Sequence, residues 1–215
     1  MKKTRSSLLV VVAALLCLMM VTSCSSMNGT KGLEYHLWAD GTYAVTVGDA
    51  DYVDQIVIPS KYDGKPVGHI PAEAFQNCTI LTGVTIPASV TSIEKGAFRG
   101  CRNLQSVVFD GRSQLKSIGD SAFAKCNLKS ITIPDGVTSI GVYAFAESDG
   151  FTITIPASVT SIGEYAFMYC SNFIVNYGGT KEQWNKIQQD DEDLLWDHFS
   201  GEYTIYCSDG VLESN

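Results

Sequence analysis

The stretch ITIPDGVTSIGVYAFAESDGFTITIPASVTSIGEYAFMYC, residues 131–170, states one unit twice. Ile131-Thr132-Ile133-Pro134 returns as Ile153-Thr154-Ile155-Pro156 twenty-two residues later. Val137-Thr138-Ser139-Ile140-Gly141 returns as Val159-Thr160-Ser161-Ile162-Gly163, and Ala144-Phe145 as Ala166-Phe167. A fixed period in the twenties marks a solenoid, in which no unit buries its apolar face alone and stacked neighbours share one continuous core.

Working outward, five repeats are legible. Their strand cores are Ile56-Val57-Ile58, Val84-Thr85-Ile86, Val107-Val108-Phe109, Ile131-Thr132-Ile133 and Ile153-Thr154-Ile155, with Val175-Asn176-Tyr177 as a sixth strand. Second short strands are expected at 67–70, 90–93, 115–118, 137–140 and 159–162. The Ala-Phe corners are Ala74-Phe75, Ala97-Phe98, Ala122-Phe123, Ala144-Phe145 and Ala166-Phe167, spaced by 23, 25, 22 and 22 residues. Pro59, Pro87, Pro134 and Pro156 lack an N–H, so each ends its strand and turns the chain. In the third repeat Asp110-Gly111 does that job instead, and residues 60–66 stretch the first repeat into a protruding turn.

An open solenoid needs atypical ends. Residues 33–38 (LEYHLW) and 43–47 (YAVTV) flank Asp40-Gly41, a strong hairpin turn, so 33–55 is expected to form an N-terminal β-hairpin cap. At the other end Thr180 and Gln183 have the spacing of a capping box, so a helix is expected to start at Thr180 and to turn Trp184 and Ile187 onto the open core. Residues 201–207 read as a last strand.

The beginning of the chain carries an address. Lys2, Lys3 and Arg5 precede an uncharged apolar run over residues 8–21, the length of a signal-peptide h-region and short for a spanning helix. Val21-Thr22-Ser23-Cys24 then resembles a bacterial lipobox, with Cys24 as the thiol that takes the lipid. Each buried methylene contributes about 0.8 kcal/mol, so two or three acyl chains anchor a protein stably. Residues 1–23 are therefore read as a lipoprotein signal peptide and 24–32 as a lipid-anchored tether, the alternative being ordinary secretory cleavage nearby with Cys24 left free. Position 25 is Ser25 rather than an inner-membrane retention Asp, which leaves the outer membrane or the cell surface.

Loss of the leader takes the net charge from −8 to −11. A surface so acidic repels phosphate backbones and anionic headgroups, which argues against nucleic acid or polybasic membrane docking. Cys78, Cys101, Cys126 and Cys170 each follow an Ala-Phe pair by three residues, and Ser148 takes that place in the remaining repeat. Stacked about 5 Å apart, as strands are, these thiols pack as small hydrophobes or form one bridge; Cys207 stands apart. No paired C-x-x-C spacing points to zinc, and no cofactor is expected.

From these residues the chain resembles the BspA-type leucine-rich-repeat family of bacterial surface proteins. The shared unit is LxSITIPxxVTSIGxxAFxxC, seen from Leu128 to Phe145 and less perfectly from Val84 to Cys101; residues 177–187 (YGGTKEQWNKI) and 204–210 (TIYCSDG) match the family's usual end. The resemblance implies a mainly β, right-handed leucine-rich-repeat solenoid with short parallel strands, about five repeats over 56–177, and a helix-strand cap over 178–215. It also implies display on the bacterial envelope and, for some members, adhesion to host-matrix proteins. Proline stands where most leucine-rich repeats carry a ladder asparagine, so Thr and Ser hydroxyls are expected to satisfy some turns.

The functional reading that follows is a non-enzymatic binding or adhesion module for a protein or glycan, monomeric and held to the membrane by its lipid; the alternative is an assembly scaffold within the envelope. Alternation turns Val57, Thr85, Val108, Thr132, Thr154 and Asn176 outward in one uncharged row, a candidate contact face without catalytic groups. Lys61, Tyr62 and Lys65 form a second candidate on the protruding turn. His36, His69 and His198 are expected too far apart along a rigid coil to build a Ser/His/Asp site. Asp190-Asp191-Glu192-Asp193 lacks a calcium-loop pattern, and Trp38, Trp184 and Trp196 are read mainly as packing bulk. Recognition is expected in the irregular parts: the first repeat, the Asp110-Gly111 deviation, or the caps.

Overall fold

The computed structural model describes residues 29–188 and 203–213. β1 (Glu34–Leu37) and β2 (Tyr43–Thr46) form the expected antiparallel hairpin, with Glu34 opposite Thr46. Its turn is closed by Asp40, which accepts hydrogen bonds from the Thr42 N–H at 2.9 Å and the Thr42 hydroxyl at 2.8 Å. β3 (Gln55–Val57), β4 (Lys61–Tyr62) and β5 (Lys65–Ile70) make the first coil. Each later coil supplies a longer strand and a two-residue one. These are β6 (Gly83–Ile86) with β7 (Ser92–Ile93), and β8 (Ser106–Phe109) with β9 (Ser117–Ile118). β10 (Ser130–Thr132) with β11 (Ser139–Ile140) and β12 (Thr152–Ile155) with β13 (Ser161–Ile162) follow. β14 (Phe173–Tyr177), α1 (Lys181–Gln188), β15 (Tyr203–Cys207) and β16 (Gly210–Glu213) complete the described chain.

One sheet runs β3-β6-β8-β10-β12-β14-β15-β16; the other runs β1-β2-β5-β7-β9-β11-β13, with β4 paired to β5. Within both sheets the coils pair in parallel, as a solenoid requires. The strands end before Pro59, Pro87, Pro134 and Pro156, because a residue without an N–H cannot extend a ladder. The inward rungs Ile56, Val84, Val107, Ile131, Ile153 and Val175 are buried between the sheets. Beside them Phe75, Phe98, Phe123, Phe145 and Phe167 stack ring on ring at 5.0, 5.3, 5.6 and 5.9 Å. The period of the sequence has thus become an aromatic column.

The corners hold a feature that periodicity does not reveal. Two residues before each Phe, Glu73, Ser121, Tyr143 and Tyr165 take φ of 54–60°, and two residues after it Asn77, Lys125, Glu147 and Tyr169 take φ of 57–61°. Glycine fills both places in one coil only, at Gly96 and Gly100. Left-handed backbone costs a non-glycine residue roughly 1–2 kcal/mol. What offsets it is a third set of bonds between coils: Glu73, Phe75 and Asn77 donate to the carbonyls of Lys95, Ala97 and Arg99 at 2.7–2.9 Å. Ser121, Phe123 and Lys125 do the same to Val142, Ala144 and Ala146 at 2.8 Å. The corner is therefore a ladder in its own right, and the left-handed residues aim its donors.

The thiols take the unbridged option: Cys78, Cys101, Cys126, Cys170 and Cys207 are free. The Cys101, Cys126 and Cys170 thiols donate to the carbonyls of Phe75, Phe98 and Phe145 at 3.0–3.2 Å. Burial pushes the Cys126 and Cys170 thiols up to about 12, so neither is a nucleophile near neutral pH. Ser148, in the same ladder, is fully buried and its hydroxyl has no hydrogen-bond partner. Hydroxyls do bond some turns, as expected: Ser89 donates to the Val67 carbonyl at 2.8 Å and Thr91 to the Gly68 carbonyl at 3.1 Å.

The ends depart from expectation in two places. The tether read as 24–32 is already packed at its described end. Thr30 donates its N–H to the Val57 carbonyl at 2.9 Å and accepts the Val57 N–H on its hydroxyl at 2.8 Å, sealing the β3 edge. The hairpin covers the other sheet, pairing β2 with β5, so two separate segments close the N-terminal end. At the C-terminal end the capping box forms, with Thr180 N–H on Gln183 at 2.8 Å and Gln183 N–H on Thr180 at 3.2 Å, and Trp184 and Ile187 are buried. β15 is a further parallel rung on β14, and β16 folds back on it antiparallel, a hairpin that periodicity does not predict. The leader with Cys24, the run 190–193, Trp196 and His198 lie outside the described residues.

Candidate binding groove

The outward row of the longer sheet exists. Val57 lies opposite Thr85, Thr85 opposite Val108, Thr132 opposite Thr154, and Thr154 opposite Asn176. The row is broken once, between Val108 and Thr132. β8 keeps four register pairs with β6, and β10 keeps three with β12, yet β8 and β10 share only Ser106 with Ser130. Val108 is accordingly 51% exposed and Thr132 is exposed, whereas Thr85 and Thr154 are half-covered by their neighbours.

A groove of about 820 Å³ fills this break, within the usual size of small-ligand sites. Ser106, Val108, Ser130 and Thr132 form its floor, residues 111–113 one wall, and Pro134 and Asp135 the other. The same coil is also longer than the regular ones, although the still longer coil from Gln55 to Gly83 keeps its register. From Ser106 to Ser130 is 24 residues, against 22 from Ser130 to Thr152 and 22 from Thr152 to Ile174. The surplus falls in 110–114, where Asp110 continues the ladder toward β6 by donating to Ile86 at 2.8 Å and Gly111 turns at φ +58°. Phe109, standing where other coils have Ile58, Ile86, Ile133 and Ile155, is only half-buried. Arg112 and Asp135 bring one charge of each sign to the walls.

Of the groove lining, Val108 and Thr132 are legible in the sequence as outward contact residues, whereas Ser106, Phe109, Arg112, Ser113, Ser130 and Asp135 are not. The available signals were the 25-residue corner spacing and the missing proline at Asp110. Thr85, Thr154 and Asn176 lie on the same face outside the groove lining. Lys61, Tyr62 and Lys65 are remote from it in sequence and belong to the first coil. There β4 pairs with β5 around Asp63-Gly64, and the Tyr62 ring lies 3.9 Å from Tyr35, nearly parallel to it, with Tyr43 edge-on at 5.0 Å. Tyr62 is thereby a packing contact between the turn and the hairpin cap, 44% exposed on its other side. Burial, helped by the Tyr62 phenol, pushes Tyr35 up to about 12.

The expectation that no Ser, His and Asp would meet is corrected. The hairpin turn carries Asp40 back over the first coil, where its carboxylate lies 2.8 Å from His69 Nε2, and His69 Nδ1 lies 2.9 Å from the Ser92 hydroxyl. Trp38 stacks on the imidazole at 4.1 Å. The His69 hydrogen bond and two from Thr42 hold the Asp40 carboxyl down at about 2. This arrangement pins the cap. Ser92 is one member of a register ladder with Ser117, Ser139 and Ser161, three of which have no histidine beside them, so the hydroxyl belongs to the repeat. Among the described residues no group of three or more His, Cys, Asp and Glu could hold a metal ion.

Stacked parallel coils, a phenylalanine column and a repeated Thr-Ser-Ile rung define a leucine-rich-repeat solenoid. The chain belongs to the BspA type leucine rich repeat family, whose model matches six copies over residues 68–187. Among solved structures it is similar to the leucine-rich-repeat protein of T. pallidum, with 31% identity over 70% of this chain and 71% of that one and a TM-score of 0.65. It is also similar to a leucine rich cell surface protein of Faecalibacterium prausnitzii A2-165, with 25% identity over 86% of this chain and 55% of that one and a TM-score of 0.51. The fold alone is shared with the pneumococcal vaccine antigen PcpA, with 21% identity over 76% of this chain and 51% of that one and a TM-score of 0.51. No curated protein matches the chain.

Proposed function

We propose that the protein is a lipid-anchored, surface-displayed binding module, non-enzymatic and monomeric, which holds a protein or glycan in the groove between β8 and β10. The observation that carries the reading is the one parallel junction, among the described residues of the longer sheet, that keeps a single register pair, beside a groove of about 820 Å³ and an insertion in the same coil. Its walls offer hydroxyls and one charge of each sign, which suits a polar ligand of low net charge. Family membership and a similar protein described as a cell surface protein support display. Cys24 supplies the anchor in this reading, and acylation at that thiol fits the apolar leader before it.

Two measurements test it. Binding of the mature protein to matrix proteins and to a glycan array should give at least one ligand, lost when Ser130→Trp fills the groove floor; a panel with no ligand defeats the reading. Cys24→Ala should move the protein from the membrane fraction to the soluble fraction. Crosslinking in intact cells that captures only envelope proteins of the same cell would favour the scaffold role instead.

A further inference from the structure

We infer that the groove takes an extended peptide segment of a partner protein, gripped by main-chain hydrogen bonds, rather than a glycan. The inference rests on the reading of the groove as the binding site and names its ligand class.

The geometry that points there is main-chain, not side-chain. Val107 and Ile131 direct their side chains into the core and are almost fully buried, yet both line the groove. What they present to it is backbone. In a parallel ladder successive residues bond alternately to the two neighbouring strands. Asp110 donates to Ile86 and so faces β6, which leaves Val107 and Phe109 facing β10. Ile133 donates to Thr154 and so faces β12, which leaves Thr132 facing β8. Continued past Ser106 and Ser130, the register would join the Thr132 N–H to the Val107 carbonyl and the Phe109 N–H to the Thr132 carbonyl. The register stops at Ser106 and Ser130, so this next pair of bonds is not completed.

Donor and acceptor groups of this uncompleted pair therefore open onto a groove, spaced as a strand spaces them. Backbone amides without partners are costly to desolvate, and an extended peptide answers both kinds at once. A sugar ring offers hydroxyls at no matching repeat. The exposed Val108 provides an apolar contact for one side chain of such a peptide, and Arg112 and Asp135, which both follow the C-terminal ends of their parallel strands, offer one charge of each sign to the same end of it. Among the described residues, the other parallel junctions of the sheet keep three or four register pairs.

The test uses the full chain in detergent against a displayed library of random heptapeptides and, in parallel, a glycan array. Expected is enrichment of peptides whose binding falls at least about tenfold with Ser130→Trp, and by about tenfold when alternate amides of the selected peptide are N-methylated, while methylation of the intervening amides leaves it unchanged. Because Ser130→Trp could disturb the sheet, Arg112→Ala on the exposed wall serves as a second variant, expected to weaken peptide binding with the melting temperature unaltered. Peptide binding indifferent to methylation register or to both variants overturns the inference. Glycan binding lost with Ser130→Trp overturns it while leaving the groove as a binding site; absence of any ligand removes both readings.

Discussion

Two neighbouring regions of one sheet make the instructive contrast. From β10 through β14 every coil is the same length, every outward residue has a partner, and the structure consists of repetition. Between β8 and β10 the same kind of strands, carrying the same kind of residues, lose their ladder after one pair. The difference is not in strand propensity. It lies in two surplus residues beyond the strand and one phenylalanine where isoleucine is the rule. A solenoid transmits register only through its nearest neighbours, so a local surplus opens one junction and leaves the rest intact.

That contrast can be broken or sharpened by measurement. The largest effect is expected in the column: Phe123→Ala or Phe145→Ala should cost about 3–5 kcal/mol in denaturant unfolding, because each ring is fully buried between two others. Phe109→Ala, at the half-buried groove edge, should cost less than half as much. If the two kinds of variant unfold alike, the groove edge is as tightly packed as the column and the contrast is wrong.

Deleting Arg112 and Ser113 brings the β8–β10 spacing to that of the regular coils. Restored ladder bonds should raise stability by about 2 kcal/mol while ligand binding disappears, and unchanged stability would show that chain length is not what opens the junction. Ser148→Cys restores the thiol ladder in a coil where the hydroxyl is buried and unpartnered. A gain of about 1 kcal/mol is expected, read as a shift in the unfolding midpoint.

The smallest effect concerns the cap. The carboxyl of Asp40 ionises at about 2 in the folded protein, below its ordinary value of 3.8, so its contribution is complete above about pH 4 and lost as pH falls through 2. Thermal melts of the parent and Asp40→Asn should therefore differ at pH 5 and converge near pH 2. Melts that already coincide at pH 5 would show that the hairpin is pinned by Trp38 stacking without the Asp40 carboxylate.

Much of this was legible in the residues. The positions of Phe123 and Phe145, the inward isoleucines, the capping box at Thr180 and the turn at Asp40-Gly41 follow from periodicity and local chemistry. Tyr62 was legible as a feature but not as a partner of Tyr35, since stacking joins residues 27 apart through the placement of a cap. The Asp40, His69 and Ser92 contact was missed for the same reason: the hairpin folds back over the first coil, and no local pattern records where a turn lands. Corner backbones at Ser121 and Tyr143 gave no warning either, because left-handed geometry there is sustained by bonds to the next coil rather than by glycine.

By itself the sequence determined the repeat, its core and its strand faces, because a solenoid's contacts are between equivalent positions and equivalence can be counted. It also marked where the count fails, at 110–114. Only the tertiary structure decided what that failure does. Surplus residues can bulge harmlessly or push neighbouring strands apart, and the outcome depends on which neighbour each strand keeps. Here β8 stays with β6 while β10 stays with β12. The groove is a property of that choice, made by hydrogen bonds across coils together with the surplus residues and the phenylalanine beside them.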